Sequence, residues 1–289
     1  MWKYAAQTLG VVMMIVSAVN SAPAGEIPHY ECAMGEVDVR VMSLVQKDLN
    51  PAILRAETDA EKAAVDRAYP DGAIHNVLNV LLLRGHGATV LVDTGYDWTT
   101  DALLEALRSA GVGPEDVTHV VITHAHGDHT GGLARDGKAF FPRASIIFSD
   151  KELAYWTNPG ERKAASEGTR KIFSTVSDIL ALYGDRVRAV APGTAIVPEL
   201  PNVRAVDEAG HTPGHIGVMV ESGDKTFLFW SDLLHAFDAQ TADPSMSATF
   251  DMDPAAAALV REATLKRARE EGWLVVGSHV PFTEPRVLP

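Results

Sequence analysis

The feature that most constrains this 289-residue chain is a run of metal-binding side chains, Thr123-His-Ala-His-Gly-Asp-His-Thr130, set directly after the apolar stretch His119-Val-Val-Ile122. Three imidazoles and one carboxylate fall within six residues. Where a strand leads into them, His124 and His126 are two apart and point the same way. Gly127 then lets the chain turn, so that Asp128 and His129 aim at a second point nearby. Imidazole with carboxylate suits zinc foremost, and also cobalt, iron, nickel or manganese. One exposed His, or one His-x-His pair, is an ordinary surface feature. Four ligand-type residues in this order after an apolar strand are not explained by solvation. The fold must therefore contain a strand whose end opens into a metal site.

Composition narrows the rest. Cys32 is the single cysteine, which rules out an internal disulfide and a zinc site built from several thiolates. A formal charge of −13 argues against nucleic acid as a partner, since an acidic surface gains nothing from displacing phosphate counterions. The length, with 46% hydrophobic and 22% charged residues, fits one globular domain. Residues 1–24 differ from the remainder of the chain. Lys3 is the only charge before Glu26, Leu9–Val19 is an apolar run of 11 residues, and Ala22-Pro-Ala24 supplies small residues. These mark a secretory signal peptide, with an apolar run too short for a membrane span of about 20 residues. The expectation is a periplasmic or secreted protein with no stable membrane insertion after cleavage, and a single domain over residues 25–289.

Strand and helix patterns then alternate. Val37–Val41, extended through Leu44, has the period of a half-buried strand, and Asn76–Leu83 and Thr89–Val92 form two strands joined by the turn Arg84-Gly-His-Gly87. A helix over Thr100–Gly111 comes next, then strands at His119–Ile122 and Ala144–Phe148 and helices at Asp150–Trp156 and Lys171–Tyr183. The second half has strands at Ala195–Val197, Val203–Val206, Ile216–Val220 and Thr226–Trp230, the helix Pro254–Glu271, and a last strand at Trp273–Gly277. This order fits an α+β or layered α/β design rather than a doubly wound parallel sheet. The segment Asn50–Leu54 with the charged helix Glu57–Arg67 is expected to lie over the site.

The segment from Thr123 to Thr130 resembles the HxHxDH signature of the metallo-β-lactamase superfamily. Later stretches match the family's remaining motifs: His211 in Gly210-His-Thr-Pro-Gly-His215, Asp232 in Phe229-Trp-Ser-Asp-Leu-Leu234, His279 in Val276-Gly-Ser-His-Val-Pro281, and Asp93 in Leu91-Val-Asp-Thr-Gly95. The resemblance runs from about Asn76 to Pro281. It implies a four-layer αβ/βα sandwich, two mixed β-sheets with helices outside. It also implies two divalent metal ions, zinc foremost: one on His124, His126 and His211, the other on Asp128, His129 and His279, with Asp232 bridging and Asp93 orienting a ligand histidine. His215 reads as structural, and His75, His86 and His119 match no ligand position.

The chemistry implied is hydrolysis by a hydroxide shared between the metals, with Asp128 passing a proton to the leaving group. The run Asp243-Pro-Ser-Met, Phe250-Asp-Met-Asp253 and the ending Gly277-Ser-His-Val-Pro-Phe282 resemble the branch of acyl-homoserine lactonases and methyl-parathion-type phosphotriesterases. The expected substrate is a small lactone, ester or phosphotriester. A β-lactamase or thioesterase of the same superfamily is the alternative, although β-lactamases generally place a cysteine in the second site. A non-catalytic metal-binding protein is the alternative of another class, and a homodimer stays open. Two departures concern substrate: His235 stands where lactonases have a tyrosine, and only ten residues come after His279. Trp156 is expected either to wall the substrate pocket or to pack its helix on the core.

Overall fold

The computed structural model describes residues 27–289, and the signal peptide assigned to residues 1–24 lies outside the described residues. The alternating apolar runs of the first half build one sheet. It comprises β1 (His29–Met34), β2 (Val37–Gln46), β3 (Val77–Gly85), β4 (Ala88–Val92) and β5 (His119–Val121). A small hairpin of β6 (Ala134–Arg135) and β7 (Lys138–Ala139) intervenes before β8 (Ser145–Ser149) and β9 (Val187–Val190) complete the sheet. Its order is β1-β2-β3-β4-β5-β8-β9, antiparallel through β4 and parallel thereafter. The second sheet holds β10 (Val203–Asp207), β11 (Ile216–Ser222), β12 (Lys225–Phe229), β13 (Leu274–Val276) and β14 (Arg286–Val287) in that order, with β12 and β13 parallel and its other pairs antiparallel.

The period-two pattern of β2 and β3 explains how the layers stack. Val39, Val41, Leu81 and Leu83 share one buried cluster with Val218, Val220, Phe227 and Phe229 of the second sheet. The residues between them, Met42, Val80 and Leu82, join a second cluster with helical residues. That cluster takes Leu103 and Leu107 of α2 (Thr100–Ser109) and Phe173 and Val176 of α6 (Glu167–Tyr183). The long α8 (Pro254–Glu271) buries Leu265 and Ala268 against the second sheet's residues. The layers therefore run helix, sheet, sheet, helix, the expected four-layer mixed α/β arrangement.

Among the described residues four shorter helices occur besides α1 (Asp59–Ala68): α3 (Gly127–Thr130), α4 (Asp150–Trp156), α5 (Pro159–Ala164) and α7 (Phe237–Ala242). Several local expectations change. Ala195–Val197 is not a strand: Pro198 ends the run, and Ala195 makes only an isolated bridge to Arg204. α6 starts at Glu167 rather than Lys171, because the Ser166 side chain caps it. β1 and β9 escape the sequence pattern, being short strands whose residues are only partly buried. Residues 50–68 do not lie over the site. Leu54 and Val65 pack instead with Ala236, Ala239 and Met246, and α1 is held by the Thr58/Glu61 capping box. Among the described residues no helix is long and apolar enough to cross a membrane.

Candidate metal centre

Two pairs of parallel neighbours, β4 with β5 and β12 with β13, send their C-terminal ends to the same edge of the sandwich. Asp93 follows β4, the segment from Thr123 follows β5, Asp232 follows β12 and His279 follows β13. Backbone bonds tie these ends together: Ile216 N–H donates to Thr123 O at 3.1 Å across the two sheets, and Ser278 N–H to Ser231 O at 3.0 Å. Gly127 opens the helical turn α3 with an ordinary helical backbone and open space about its α-carbon. The turn is therefore made by helix initiation, with His126 at the N-cap, and not by a conformation reserved for glycine.

Two groups of donors result. His124 Nε2 and His211 Nε2 each lie 3.0 Å from His126 Nδ1. In the second, His279 Nε2 is 3.3 Å from Asp128 Oδ2, and His129 Nε2 is 3.7 Å from Asp128 Oδ1. Asp232 stands between them. Its Oδ1 is 3.2 Å from His129 Nε2, and its Oδ2 is 3.2 Å from His279 Nε2, 3.4 Å from His211 Nε2 and 3.7 Å from His124 Nε2. All seven side chains predicted as ligands are thus brought together.

The ring nitrogens of His129, His211 and His279 that face away from the centre are occupied, which leaves their inner ones for a ligand. His129 Nδ1 donates to Asp93 Oδ2 at 2.8 Å, His211 Nδ1 to Asp251 Oδ1 at 3.1 Å and His279 Nδ1 to Val77 O at 3.1 Å, with Asn76 Oδ1 at 3.3 Å. Asp93 also receives the Thr123 N–H and hydroxyl, both at 2.9 Å, and holds a φ of 62°, a costly backbone for a non-glycine residue.

Electrostatics agree with a cation-binding purpose. Burial lowers the His126 imidazole to about 4 and His211 to about 3, so both offer lone pairs. Burial also opposes protonation of His279, but Asp232 and Asp128 outweigh it and push that ring up to about 10. The second group thus demands positive charge. His129 Nε2 is buried and has no hydrogen-bond partner. Three inward nitrogens about a single point, an orphaned fourth and two carboxylates, Asp232 buried and Asp128 partly so, fit divalent ions better than any hydrogen-bond network they can form among themselves.

Residues that the sequence does not single out complete the frame. Glu152, buried on α4, accepts from Ala125 N–H (2.9 Å), Gly214 N–H (2.8 Å), the Thr212 hydroxyl (2.9 Å) and Trp156 Nε1–H (2.6 Å). It therefore clamps the loop carrying His124 and His126 to the loop carrying His211. Asp251, which orients His211, receives Arg261 Nη2 at 3.2 Å. In sequence Arg261 is one charge on an Ala/Arg-rich helix, and Glu152 one on a short amphipathic one. Nothing in their spacing distinguishes them, because their partners are remote in sequence.

The substrate candidates divide. His235 lines the cavity above the donors, lies 3.1 Å from Asp232 Oδ2 through Nε2, and stacks on His279 with centroids 5.0 Å apart. Trp156 is not a pocket wall: it is 1% exposed in the core, where its indole serves Glu152. His215 is structural, donating Nδ1–H to Glu208 O and accepting the Asp232 N–H at Nε2. His75, His86 and His119 lie elsewhere, against Asp48 and Asp71, Glu36, and Thr118. The cavity holds about 360 Å³, with Val45, Leu49, Leu78, Tyr96, Trp98 and Phe250 among its walls.

A layered fold with buried His/Asp donors at the strand ends, as found here, is that of a metal-dependent hydrolase. The sequence profile of the metallo-β-lactamase superfamily matches residues 76–279, and the chain belongs to that superfamily. Metallo-beta-lactamase domain-containing protein 1 of Rattus norvegicus is 55% identical over 60 residues, 21% of this chain and 22% of that protein. N-acyl homoserine lactonase AttM of Azorhizobium caulinodans is 30% identical over 125 residues, 39% of this chain and 40% of that protein. The chain thus matches less than half the length of either relative. Among solved structures, AidC, a dizinc quorum-quenching lactonase, superposes with a TM-score of 0.78 at 23% identity, covering 89% of this chain and 92% of that one. The hydrolase AbOPH gives 0.78 at 22% identity, covering 89% and 91%. These two share the fold.

Proposed function

We propose that the protein is an exported dinuclear metal-dependent hydrolase that cleaves a lactone, ester or phosphotriester. The observation that carries this reading is the position of Asp232, whose two oxygens reach both donor groups. His124, His126 and His211 would hold one divalent ion, Asp128, His129 and His279 the other, with Asp232 shared between them; zinc suits the donors. Such ions, when bound, acidify water and polarise a carbonyl or phosphoryl oxygen.

The chain's own residues supply the rest. Asp93, Asp251 and Asn76 fix the rings of His129, His211 and His279. The apolar walls hold the substrate and exclude bulk water from the donors. Asp128, its side chain 15% exposed, carries its carboxylate at the cavity and can hold the proton that the leaving group takes. The lactonase names among the relatives, AttM and AidC, support the substrate class.

Elemental analysis of the purified protein should find about two metal equivalents per chain. The protein should hydrolyse a 4-nitrophenyl ester, an acyl lactone or a phosphotriester and lose that activity on chelation. Full activity in metal-free protein overturns the reading. Turnover of a chromogenic cephalosporin or a thioester alone would move it to the β-lactamase or thioesterase alternative. Metal binding without turnover on any of these would make it a non-catalytic metal protein. Fractionation of the expressing cells tests export, which rests on residues 1–24.

A further inference from the structure

One cationic residue, Lys47, lines the otherwise largely apolar wall above the donors. The strand register shows how it comes to face the cavity. β2 pairs with β3 regularly from Asp38↔Arg84 to Ser43↔Asn79, then shifts so that Val45 opposes Leu78. The extra residue, Leu44, reverses which side each later residue takes, a device found beside active sites. Beyond the shift Val45, Lys47 and Leu49 all line the cavity, while Asp48 between them pairs with His75 at 3.0 Å. The Lys47 backbone is pinned, its N–H donating to Asn76 O at 2.8 Å. Among the described residues Lys47 has no carboxylate partner within 4.0 Å, a state it shares with Lys138, Lys163, Lys171 and Lys225, and of these five it alone lines the cavity above the donors.

Lys47 is exposed at the rim of the cavity, where its ammonium can meet an anion carried by a ligand. Two divalent ions held with Asp128 and Asp232 would leave the cavity floor net positive, and Lys47 would add to that charge in a chain of −13 overall. The floor engages the scissile bond, so the anion for Lys47 must be elsewhere on the same ligand. Its chemistry is set by what the wall offers. No arginine lines this cavity, so the bidentate fork that favours a phosphate is lacking. A single ammonium among apolar side chains matches a single carboxylate.

We propose that Lys47 receives a carboxylate carried by the substrate, so that the preferred substrates are esters, thioesters or lactones with a carboxylate remote from the scissile bond. This rests on the hydrolase reading above. In the reaction water adds to the acyl carbon, the acyl–oxygen or acyl–sulfur bond breaks, the leaving group takes the proton, and the remote carboxylate is unchanged.

The test compares mono-(4-nitrophenyl) glutarate with its methyl ester, which has the same length and no charge, on the metal-loaded protein. The charged ester should be preferred about threefold to tenfold in kcat/KM, mainly through KM, with the preference shrinking as salt rises. Lys47→Met should bring the ratio close to one, Lys47→Glu should invert it, and Lys47→Arg should restore it. Titration calorimetry supplies a readout apart from turnover: glutarate should bind more tightly than monomethyl glutarate to the wild type, and equally to Lys47→Met. Equal handling of both esters by wild type and Lys47→Met overturns the role of Lys47 and leaves the hydrolase reading intact. Hydrolysis of neither ester, with no metal retained, overturns both.

Discussion

Glu152 and Trp156, one turn apart on α4, are joined by a 2.6 Å hydrogen bond from the indole Nε1–H to Oε1, and both are sealed from solvent. The tryptophan therefore belongs to the support of the metal centre and not to the wall of the substrate cavity. Trp156→Phe keeps most of the packing and removes one donor from a buried carboxylate. It should cost about 1–3 kcal/mol of stability, read from the urea midpoint, and leave KM unchanged. A severalfold change in KM would return Trp156 to the pocket.

Glu152→Gln tests the clamp itself. The carboxamide has nearly the same shape, but its NH2 must face a backbone N–H, the Thr212 hydroxyl or the Trp156 indole. The loops bearing His124, His126 and His211 then lose their common anchor. Zinc affinity of that group should fall about 10–100-fold while the group of Asp128, His129 and His279 changes little. Calorimetric titration of the metal-free protein resolves the two steps, and an equal fall in both would show only general loosening.

Asp93→Asn should act on the other group. His129 Nδ1–H loses a charged acceptor at 2.8 Å, and the Thr123 N–H and hydroxyl lose theirs at 2.9 Å. The second metal equivalent should weaken about 10–100-fold. Unchanged stoichiometry and affinity would reduce Asp93 to a turn residue.

Cys32 offers a pH-dependent check remote from the centre. Burial pushes its thiol up to about 11, with Lys225 pulling weakly the other way. The thiolate is the reactive form, so a raised value means slow reaction at neutral pH. Alkylation by iodoacetamide in the folded protein should therefore be slow at pH 7.5 and should gain about tenfold per pH unit up to about pH 10. In urea the same thiol should react at the rate of a free cysteine. A fast native rate at pH 7.5 would contradict the packing of Cys32 against the core.

The centre was more legible than the fold around it, and the reason is chain distance. The His124–His129 segment is local: its spacing after a strand comes from strand and helix geometry, and its meaning survives without neighbours. Its link to His211, Asp232 and His279 came from motif resemblance. The pairing of β9 with β8 and the packing of residues 50–68 against residues 236–246 depend on partners far along the chain, which periodicity does not register.

By itself, then, the sequence determined the donor set, the absence of thiolate from it, and the alternation of strands and helices, because each depends on residue type and local period. Tertiary structure alone decided the supports and the wall. Asp251 beneath His211, Glu152 between two loops, Trp156 in the core and Lys47 turned to the cavity by a one-residue register shift all depend on contacts across tens of residues. A side chain's function there is set by what the packed sheets bring against it, and that information appears only once the two sheets close.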